Sequence, residues 1–188
     1  MMDKLSQILK AGGVAVIPTD TIYGIVGSAL NKETVQKIYT LRKRQPSKPF
    51  IILISSLEDL KLFNVTLTSD LQALLSTLWP NKVSVILPCE NKQFEYLHRG
   101  TNSLAFRLPD KKDLIELLKK TGPLVAPSAN PEGEKEAKTV SEAKDYFGDS
   151  VYRYSDAGTL QSLPSTLVKI TNGKLEVLRQ GAVDLASN

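Results

Sequence analysis

The feature that most constrains the fold is a regular alternation of short apolar runs with helical patterns along nearly the whole chain. Runs such as Val14–Ile17 and Phe50–Ile54 are rich in β-branched or aromatic residues and have the length of buried strands. Between the runs, apolar residues recur every three or four positions, as Val35 and Ile38 do after the potential helix cap Asn31. This interleaving predicts an α/β protein with a central sheet flanked by helices.

The same patterns place the individual elements. The predicted helices cover residues 5–9, 32–44, 57–62, 69–78, 110–120 and 140–147, and the predicted strands cover 14–17, 22–29, 50–54, 83–87, 104–108, 124–126, 151–154, 165–171 and 174–178. Asn172 and Gly173 separate the last two strands and are typical of a tight hairpin turn, so those strands should be antiparallel. We expect a twisted sheet of mixed parallel and antiparallel strands in a single domain, residues 1–188, with its core at about 5–182.

The small number of cysteine and histidine residues disfavours disulfide, zinc and catalytic-triad sites. The chain has 188 residues, near the usual size of one domain, so its core needs neither disulfides nor a structural metal. It contains one cysteine, Cys89, and one histidine, His98. A disulfide framework, a zinc site built from Cys and His, and a Ser/Cys–His triad are therefore poorly supplied. We expect His98 to lie in a solvated loop.

The charge balance favours anionic ligands. The 24 Lys and Arg residues exceed the 20 Asp and Glu residues and give a net charge of +4. This excess is smaller than that of a dedicated nucleic-acid binder and suits small anions as well as RNA. The N-terminus carries charges every few residues, and no stretch of 18 apolar residues occurs. We expect a soluble, cytoplasmic protein with no membrane partner.

Polar groups gather where predicted strands end, as they do at ligand sites of open α/β sheets. The chain has neither a GxxxxGK[ST] loop nor a GxGxxG motif after a strand, so scattered side chains must hold any nucleotide. In the segment PTDTIYG, Thr19 and Thr21 flank Asp20 directly after a buried strand. This turn either binds a polar ligand or stabilises its own backbone through the threonine hydroxyls.

A basic segment follows the second predicted helix. It contains Arg42, Lys43, Arg44 and Lys48, and Arg42 continues the buried face of the helix, so it should point into the protein body. The helix dipole alone favours cations at a C-terminus. Guanidinium groups also bind phosphate oxygens through paired hydrogen bonds, so the segment has a structural and a ligand-binding interpretation.

Two further groups of polar side chains complete the candidate sites. Ser128 and Asn130 lie in APSANP, where a short strand ends, and can present donors from a fixed turn. The other group combines Ser103 and Arg107 with the segments PST and RQG at 164–166 and 179–181. Arg107 lies within a strand pattern and needs a partner, which an anionic ligand or an edge-strand salt bridge would supply. The polar segment 131–138 is either a mobile loop over a site or a solvated loop.

Taken in order, these segments resemble the YrdC-like family, the threonylcarbamoyl-AMP synthases that begin the N6-threonylcarbamoyladenosine modification of tRNA position 37. The resemblance runs from about Gly12 to Ala182 and rests on PTDTIYGI, the basic segment, LWP, SLAFRLP, APSAN, LPSTLV and LRQGA. It implies a YrdC-like sheet with a basic concave ligand-binding face. Because the chain ends shortly after LRQGA, it also implies a short member without the C-terminal domain of longer relatives.

The resemblance implies a nucleotidyltransferase reaction. L-threonine, bicarbonate or CO2, and ATP would give threonylcarbamoyl-AMP and pyrophosphate, through attack of a carbamate oxygen on the α-phosphorus. Catalysis would rest on positioning and on neutralising phosphate charge. Mg2+ would be carried by the ATP phosphates and not by protein side chains. The expected partner is a downstream tRNA threonylcarbamoyl transferase complex, with weak binding of tRNA or double-stranded RNA.

The resemblance also assigns site residues by motif. The K-x-R and S-x-N groups of the family, which are its catalytic groups, fall on Arg42, Arg44, Ser128 and Asn130. The residues that would hold threonine or its carbamate are Thr21, Lys48, Arg107, Ala126 and Ser165. The residues that would contact ATP are Arg44, Ser103, Ser128 and Arg179. Asp20 is the nearest candidate for a general base by motif.

Two departures from the family pattern leave alternatives open. Arg42 stands where lysine is usual, so Lys43 is an alternative for that role. The family's W-P-G-P reads Trp-Pro-Asn81-Lys82 here; Asn81 can replace a glycine at positive φ, but Lys82 removes a rigid turn. A non-catalytic RNA-binding relative is therefore the main alternative. A carbamoyl-adenylating module of the kind found in hydrogenase maturation proteins is less favoured, because those proteins are much longer.

Overall fold

The computed structural model describes residues 2–171 and 173–185. Its strands are β1 Ala15–Pro18, β2 Tyr23–Ser28, β3 Ile51–Leu53, β4 Val83–Pro88, β5 Ser103–Arg107, β6 Leu124–Val125, β7 Arg153–Tyr154, β8 Thr166–Thr171 and β9 Lys174–Arg179. They form one sheet in the order β7-β1-β2-β6-β3-β5-β4-β8-β9. The pairs β1–β7, β3–β5 and β4–β8 are parallel and the other neighbours antiparallel, which confirms the predicted mixed sheet.

Helices flank this sheet. They are α1 Met2–Lys10, α2 Lys32–Leu41, α3 Ser69–Leu78, α4 Glu95–His98, α5 Lys112–Thr121 and α6 Val140–Phe147, with 3-10 segments at Leu57–Phe63, Lys92–Phe94 and Gly148–Ser150. No helix among the described residues has the length and apolar character needed to cross a membrane. The order of helices and strands agrees with the sequence prediction, apart from the unpredicted segments 92–98 and 148–150.

Helix α2 shows how local sequence fixes the ends of an element. The Asn31 side chain accepts a hydrogen bond from the backbone N–H of Thr34 at 2.9 Å, as expected of a helix cap. The helix ends at Leu41, before the predicted end near residue 44. Lys43 adopts a positive φ of 48°, which breaks the helical backbone and turns the chain toward the basic segment.

The two faces of the sheet bury different residues because side chains alternate along each strand. One face packs into the larger core, where Ile25, Ile52 and Phe106 are fully buried. The other face divides into two parts. We call the part beneath α1 and α5 the covered half; it consists of Ala15, Ile17, Val26, Leu53 and Leu124. We call the remainder the open half; it consists of Ile51, Ile86, Ser103, Ala105 and Leu167.

The structure corrects the prediction for His98. This residue ends α4 and is only 3% exposed, with its Nδ1 accepting a hydrogen bond from the Gly100 N–H at 3.2 Å. The expectation of a solvated loop is wrong because the neighbouring Phe94 and Leu97 are buried in the larger core. Phe94 packs against Phe63 with ring centroids 5.3 Å apart, and that contact draws the segment inward.

Two turns, at residues 79–82 and at 172–173, were also predicted from the sequence. The peptide bond between Trp79 and Pro80 is cis, and Asn81 does not have the positive φ of a glycine substitute, so that interpretation is wrong. Instead, the Asn81 carbonyl side chain accepts the Lys82 N–H at 2.8 Å and its own N–H donates to Leu108. In the hairpin, Asn172 lies outside the described residues, but the antiparallel pairing of β8 with β9 agrees with the predicted hairpin.

Candidate active site

A cavity of about 290 Å3 lies over the open half. Its floor is formed by alternate residues of four strands, namely Ile51, Ile86, Ala105 and Leu167, whose strand neighbours point into the larger core. The motif segments rise around this floor. The predicted site residues that line the cavity are Thr21, Arg42, Arg44, Ser103, Arg107, Ala126, Ser128, Ser165 and Arg179. Asn130 and Lys48 lie next to the cavity and do not line it.

The PTDT turn stabilises its own backbone and also lines the cavity. The Thr19 hydroxyl donates to the Ile22 carbonyl at 2.7 Å and accepts the Thr21 N–H at 3.2 Å, so it stabilises its own turn. The Thr19 and Thr21 hydroxyl oxygens are 3.1 Å apart, and both residues line the cavity. Gly24 packs closely against this turn, because a Cβ there would lie 3.1 Å from the Thr19 methyl carbon. The turn is therefore a rigid wall of the cavity.

Arg42 holds the APSAN turn in place. Its Nε donates to the Asn130 carbonyl at 2.8 Å, and its Nη2 donates to Ser128 Oγ at 3.1 Å and Asn130 Oδ1 at 3.2 Å. Burial, reinforced by the Arg44 charge and opposed by nearby glutamates, lowers the pKa of Arg42 to about 10, so the group stays charged at neutral pH. The residue is 3% exposed, which confirms that it points into the protein body. A planar fork suits these divergent contacts better than an ammonium group.

The rest of the basic segment divides between the cavity and the surface. Arg44 lines the cavity; its Nε donates to the Lys48 carbonyl at 3.2 Å, and its guanidinium lies 5.6 Å from the ring centre of Phe50. Its terminal nitrogens have no hydrogen-bond partner among the described residues. Lys43 is exposed and does not line the cavity, so the structure does not favour it as the substitute for the family's lysine. Lys48 forms an ion pair with Glu132 at 2.5 Å.

Arg107 forms a buried ion pair with Asp20. Its Nη2 lies 3.0 Å from Asp20 Oδ1, and the side chains are 4% and 1% exposed. The predicted salt bridge is therefore present. It does not lie on an edge strand, because Arg107 is on β5, which lies between β3 and β4 in the sheet. Burial lowers the pKa of Arg107, and the Asp20 charge opposes that shift. Arg107 Nε and Asp20 Oδ2 have no hydrogen-bond partner among the described residues, so this pair retains unused polar capacity beside the cavity.

The far wall is formed by the PST and RQG segments. Ser165 Oγ lies 2.8 Å from Ser84 Oγ, and Arg179 Nη2 donates to the Ser165 carbonyl at 2.9 Å. Position 181 requires a glycine, because a Cβ there would lie 2.3 Å from the Pro164 carbonyl oxygen. The two segments therefore dock backbone to backbone, and this contact fixes Arg179 at the cavity wall.

Sequence reasoning missed part of the lining. Glu136, in the polar segment 131–138, reaches the cavity, and so do Thr101 and the apolar floor residues. The alternation along β3, β4, β5 and β8 contained the signal for the floor, because it separates the residues of the two faces. No local pattern distinguished Glu136 from its exposed neighbour Glu134. Within the segment 131–138, Glu136 thus lines the cavity, whereas residues 133–135 and 138 are exposed to solvent.

The charges of the cavity favour a polyanion. Among the described residues, its lining contains the arginines Arg42, Arg44, Arg107 and Arg179 and one carboxylate, Glu136. The residues described contain no group of three His, Cys, Asp or Glu that could hold a metal ion. With hydroxyl donors on several walls and a partly apolar floor, the cavity has the features of a site for a phosphorylated small molecule.

Comparisons with known proteins agree with this arrangement. The family model Sua5_yciO_yrdC, described as "Telomere recombination", matches residues 7–181. The threonylcarbamoyl-AMP synthase of Marinobacter nauticus is 32% identical over 172 residues, which are 89% of this chain and 90% of that protein.

Two solved structures share the fold. Sua5 of Pyrococcus abyssi, crystallised with L-threonine, superposes with a TM-score of 0.90 at 24% identity, covering 99% of this chain and 55% of that one. This chain therefore spans just over half of that Sua5 chain. YciO of Escherichia coli gives a TM-score of 0.84 at 23% identity, covering 98% of this chain and 90% of that one.

Proposed function

The chain belongs to the Sua5/YciO/YrdC family, and from that premise we propose that it is a threonylcarbamoyl-AMP synthase, which joins L-threonine, bicarbonate and ATP and releases pyrophosphate. The observation that carries the proposal is the convergence of five distant motif segments on one cavity. Thr21, Arg44, Ser128, Ser165 and Arg179 come from separate parts of the chain and line the same space. The relative from Marinobacter nauticus bears this activity in its name.

In this proposal, the nucleotide lies along the walls that carry Arg44, Ser103, Ser128 and Arg179. The free terminal nitrogens of Arg44 bind phosphate oxygens, while the stack of its guanidinium near Phe50 limits the orientations of the side chain. Arg42 acts as a positioning residue, because its hydrogen bonds are made to the APSAN turn. It keeps Ser128 directed at the nucleotide.

Threonine and its carbamate occupy the side of the cavity formed by Thr21, Arg107, Ala126 and Ser165. Arg107 lines this side of the cavity and brings its positive charge to a carboxylate there, while Asp20 orients the guanidinium. The carbamate oxygen attacks the α-phosphorus, the bond from that phosphorus to the bridging oxygen breaks, and pyrophosphate leaves. The walls speed this step by holding both reactants together and neutralising phosphate charge.

Mg2+ enters this proposal with ATP. Phosphate oxygens and water molecules would supply its ligands, and the ion would neutralise part of the phosphate charge. The further expectations belong to the same proposal: a cytoplasmic location, transfer of the product to a tRNA threonylcarbamoyl transferase complex, and weak contact with tRNA or double-stranded RNA. Lys48 takes part at the rim through its ion pair with Glu132, which ties the basic segment to the APSAN side.

The decisive experiment measures pyrophosphate release from MgATP with L-threonine and bicarbonate each omitted in turn, and with serine as the control amino acid. We expect release that requires both substrates and falls sharply with serine. Release that does not depend on threonine would contradict the synthase proposal. A folded protein that binds ATP and RNA but releases no pyrophosphate would indicate the non-catalytic relative instead.

A further inference from the structure

Among the residues that the structure describes, Glu136 is the one carboxylate in the cavity lining, whose other charged residues are all arginines. A triphosphate in this cavity would bring several negative charges toward it. The Glu136 carboxylate therefore repels the phosphates of a free nucleotide, whereas a divalent cation bound to the phosphates removes this repulsion. The position of Glu136 thus bears on which form of the nucleotide the cavity accepts.

The backbone on both sides of Glu136 is held. The Tyr146 hydroxyl donates to the Lys135 carbonyl at 3.1 Å, and the next residue, Ala137, is 2% exposed. One position further, the Lys138 carbonyl accepts the Leu160 N–H at 2.9 Å. These contacts hold the backbone around Glu136 beside the cavity, which its side chain lines.

Glu136 also lacks a close cation. Among the described residues no Lys, Arg or His nitrogen lies within 4.0 Å of its carboxylate, and no hydrogen bond involves its side chain, although Arg42 and Arg179 line the same cavity. By contrast, Glu132 in the same segment is bound to Lys48 and to the Gln45 N–H. Burial lowers the pKa of both Arg42 and Arg179, and the Glu136 charge opposes each shift, so its field reaches both guanidinium groups.

We propose that Glu136 makes the cavity select the divalent-cation complex of a nucleoside triphosphate over the free nucleotide. The carboxylate repels the bare polyphosphate, and it attracts the cation that the phosphates carry, either directly or through a water of its shell. This inference rests on the proposed use of the cavity for ATP and adds the form of ATP that the site recognises.

The test compares dissociation constants for ATP in excess Mg2+ and in EDTA, for the wild type, Glu136→Gln and the matched control Glu134→Gln. Both variants remove one negative charge from the same segment, but Glu134 is exposed and does not line the cavity. Inorganic triphosphate, measured in the same way, separates the phosphate contribution from that of the adenosine. Thermal unfolding of each variant confirms that it is folded.

We expect Glu136→Gln to tighten binding of the free nucleotide by roughly 3- to 10-fold while leaving the magnesium complex unchanged or weakened, so that discrimination falls. Glu134→Gln should change either constant by less than about twofold. Equal effects of the two variants, or equal tightening of both nucleotide forms by Glu136→Gln, would overturn the inference. A protein that shows the expected selectivity but no threonine-dependent pyrophosphate release would retain the inference and lose the proposed function; one that binds neither nucleotide form would lose both.

Discussion

The covered and open halves are parts of one sheet face, built by the same alternation of side chains, yet they have opposite characters. Beneath α1 and α5 the face presents aliphatic residues such as Ile17 and Leu53, which are almost completely buried. Over β4, β5 and β8 it presents Ile86, Ala105 and Leu167, which are only partly buried and form the cavity floor. A binding site can therefore form where part of a sheet face is left without a covering helix. Stability should depend on one half and activity on the other.

The largest effect is expected at the boundary of the two halves. Asp20→Asn leaves the buried Arg107 charge without its partner, because the two side chains are 1% and 4% exposed. We expect a loss of about 3–5 kcal/mol in the free energy of unfolding, measured by urea denaturation. The double variant Asp20→Leu/Arg107→Met, which leaves neither a buried charge nor an unpaired amide, should recover most of this loss. A single variant that costs less than about 1 kcal/mol would show that water already solvates the pair.

The next largest effect compares the loss of unfolding free energy for one truncated side chain at each half of the sheet face. Leu118→Ala in α5 removes a side chain that is 1% exposed above the covered half, and it should cost about 2–5 kcal/mol of unfolding free energy. Ile86→Ala in the open half should cost less than about 1.5 kcal/mol, because Ile86 already faces the cavity. Denaturation curves of both variants check this. Similar costs for the two would mean that the open half is packed as tightly as the covered half.

A smaller effect, in activity instead of stability, is expected for Arg44→Ala. Loss of charge-assisted hydrogen bonds to phosphate should weaken MgATP binding by roughly 10- to 100-fold. Unfolding free energy should change by less than about 0.5 kcal/mol, since the side chain donates to one backbone carbonyl only. Titration with MgATP measures the affinity. Lys43→Ala is the matched control, because Lys43 is exposed beside the segment, and an equal loss there would argue against a specific role of Arg44.

The smallest effect concerns the ion pair at the rim. Hydrogen bonds from Lys48 and from the Gln45 N–H lower the pKa of Glu132 below its ordinary value of 4.5. A carboxyl group whose pKa is lower in the folded state stabilises that state above its ordinary pKa and loses this contribution as the pH falls through the folded value. Glu132→Gln should therefore be less stable than the wild type at neutral pH, with the difference vanishing in acid. A difference independent of pH would point to packing instead.

Much of the fold followed from short-range patterns. Asn31, the apolar positions Val35 and Ile38, and the boundaries of α3 and α6 were predicted because caps and periodicity act within a few residues. His98 was not, because its burial depends on the contact of Phe94 with Phe63, about thirty positions away in the chain. The end of helix α2 was predicted about three residues too late. The helix stops because Lys43 adopts a left-handed backbone conformation, and the residue type gives no signal of this.

The order of strands and helices, the family and nine of the residues that line the cavity could be predicted from the amino-acid sequence, since they follow from local periodicity and from motifs in a fixed order. By contrast, three features became visible in the folded chain alone: Arg42 holds the APSAN turn, Arg107 is paired with Asp20, and Glu136 lines the cavity. The physical reason is that each of these depends on contacts between distant segments. Ion pairing, burial and the direction of a side chain are set by what the folded chain brings alongside, which no short pattern specifies.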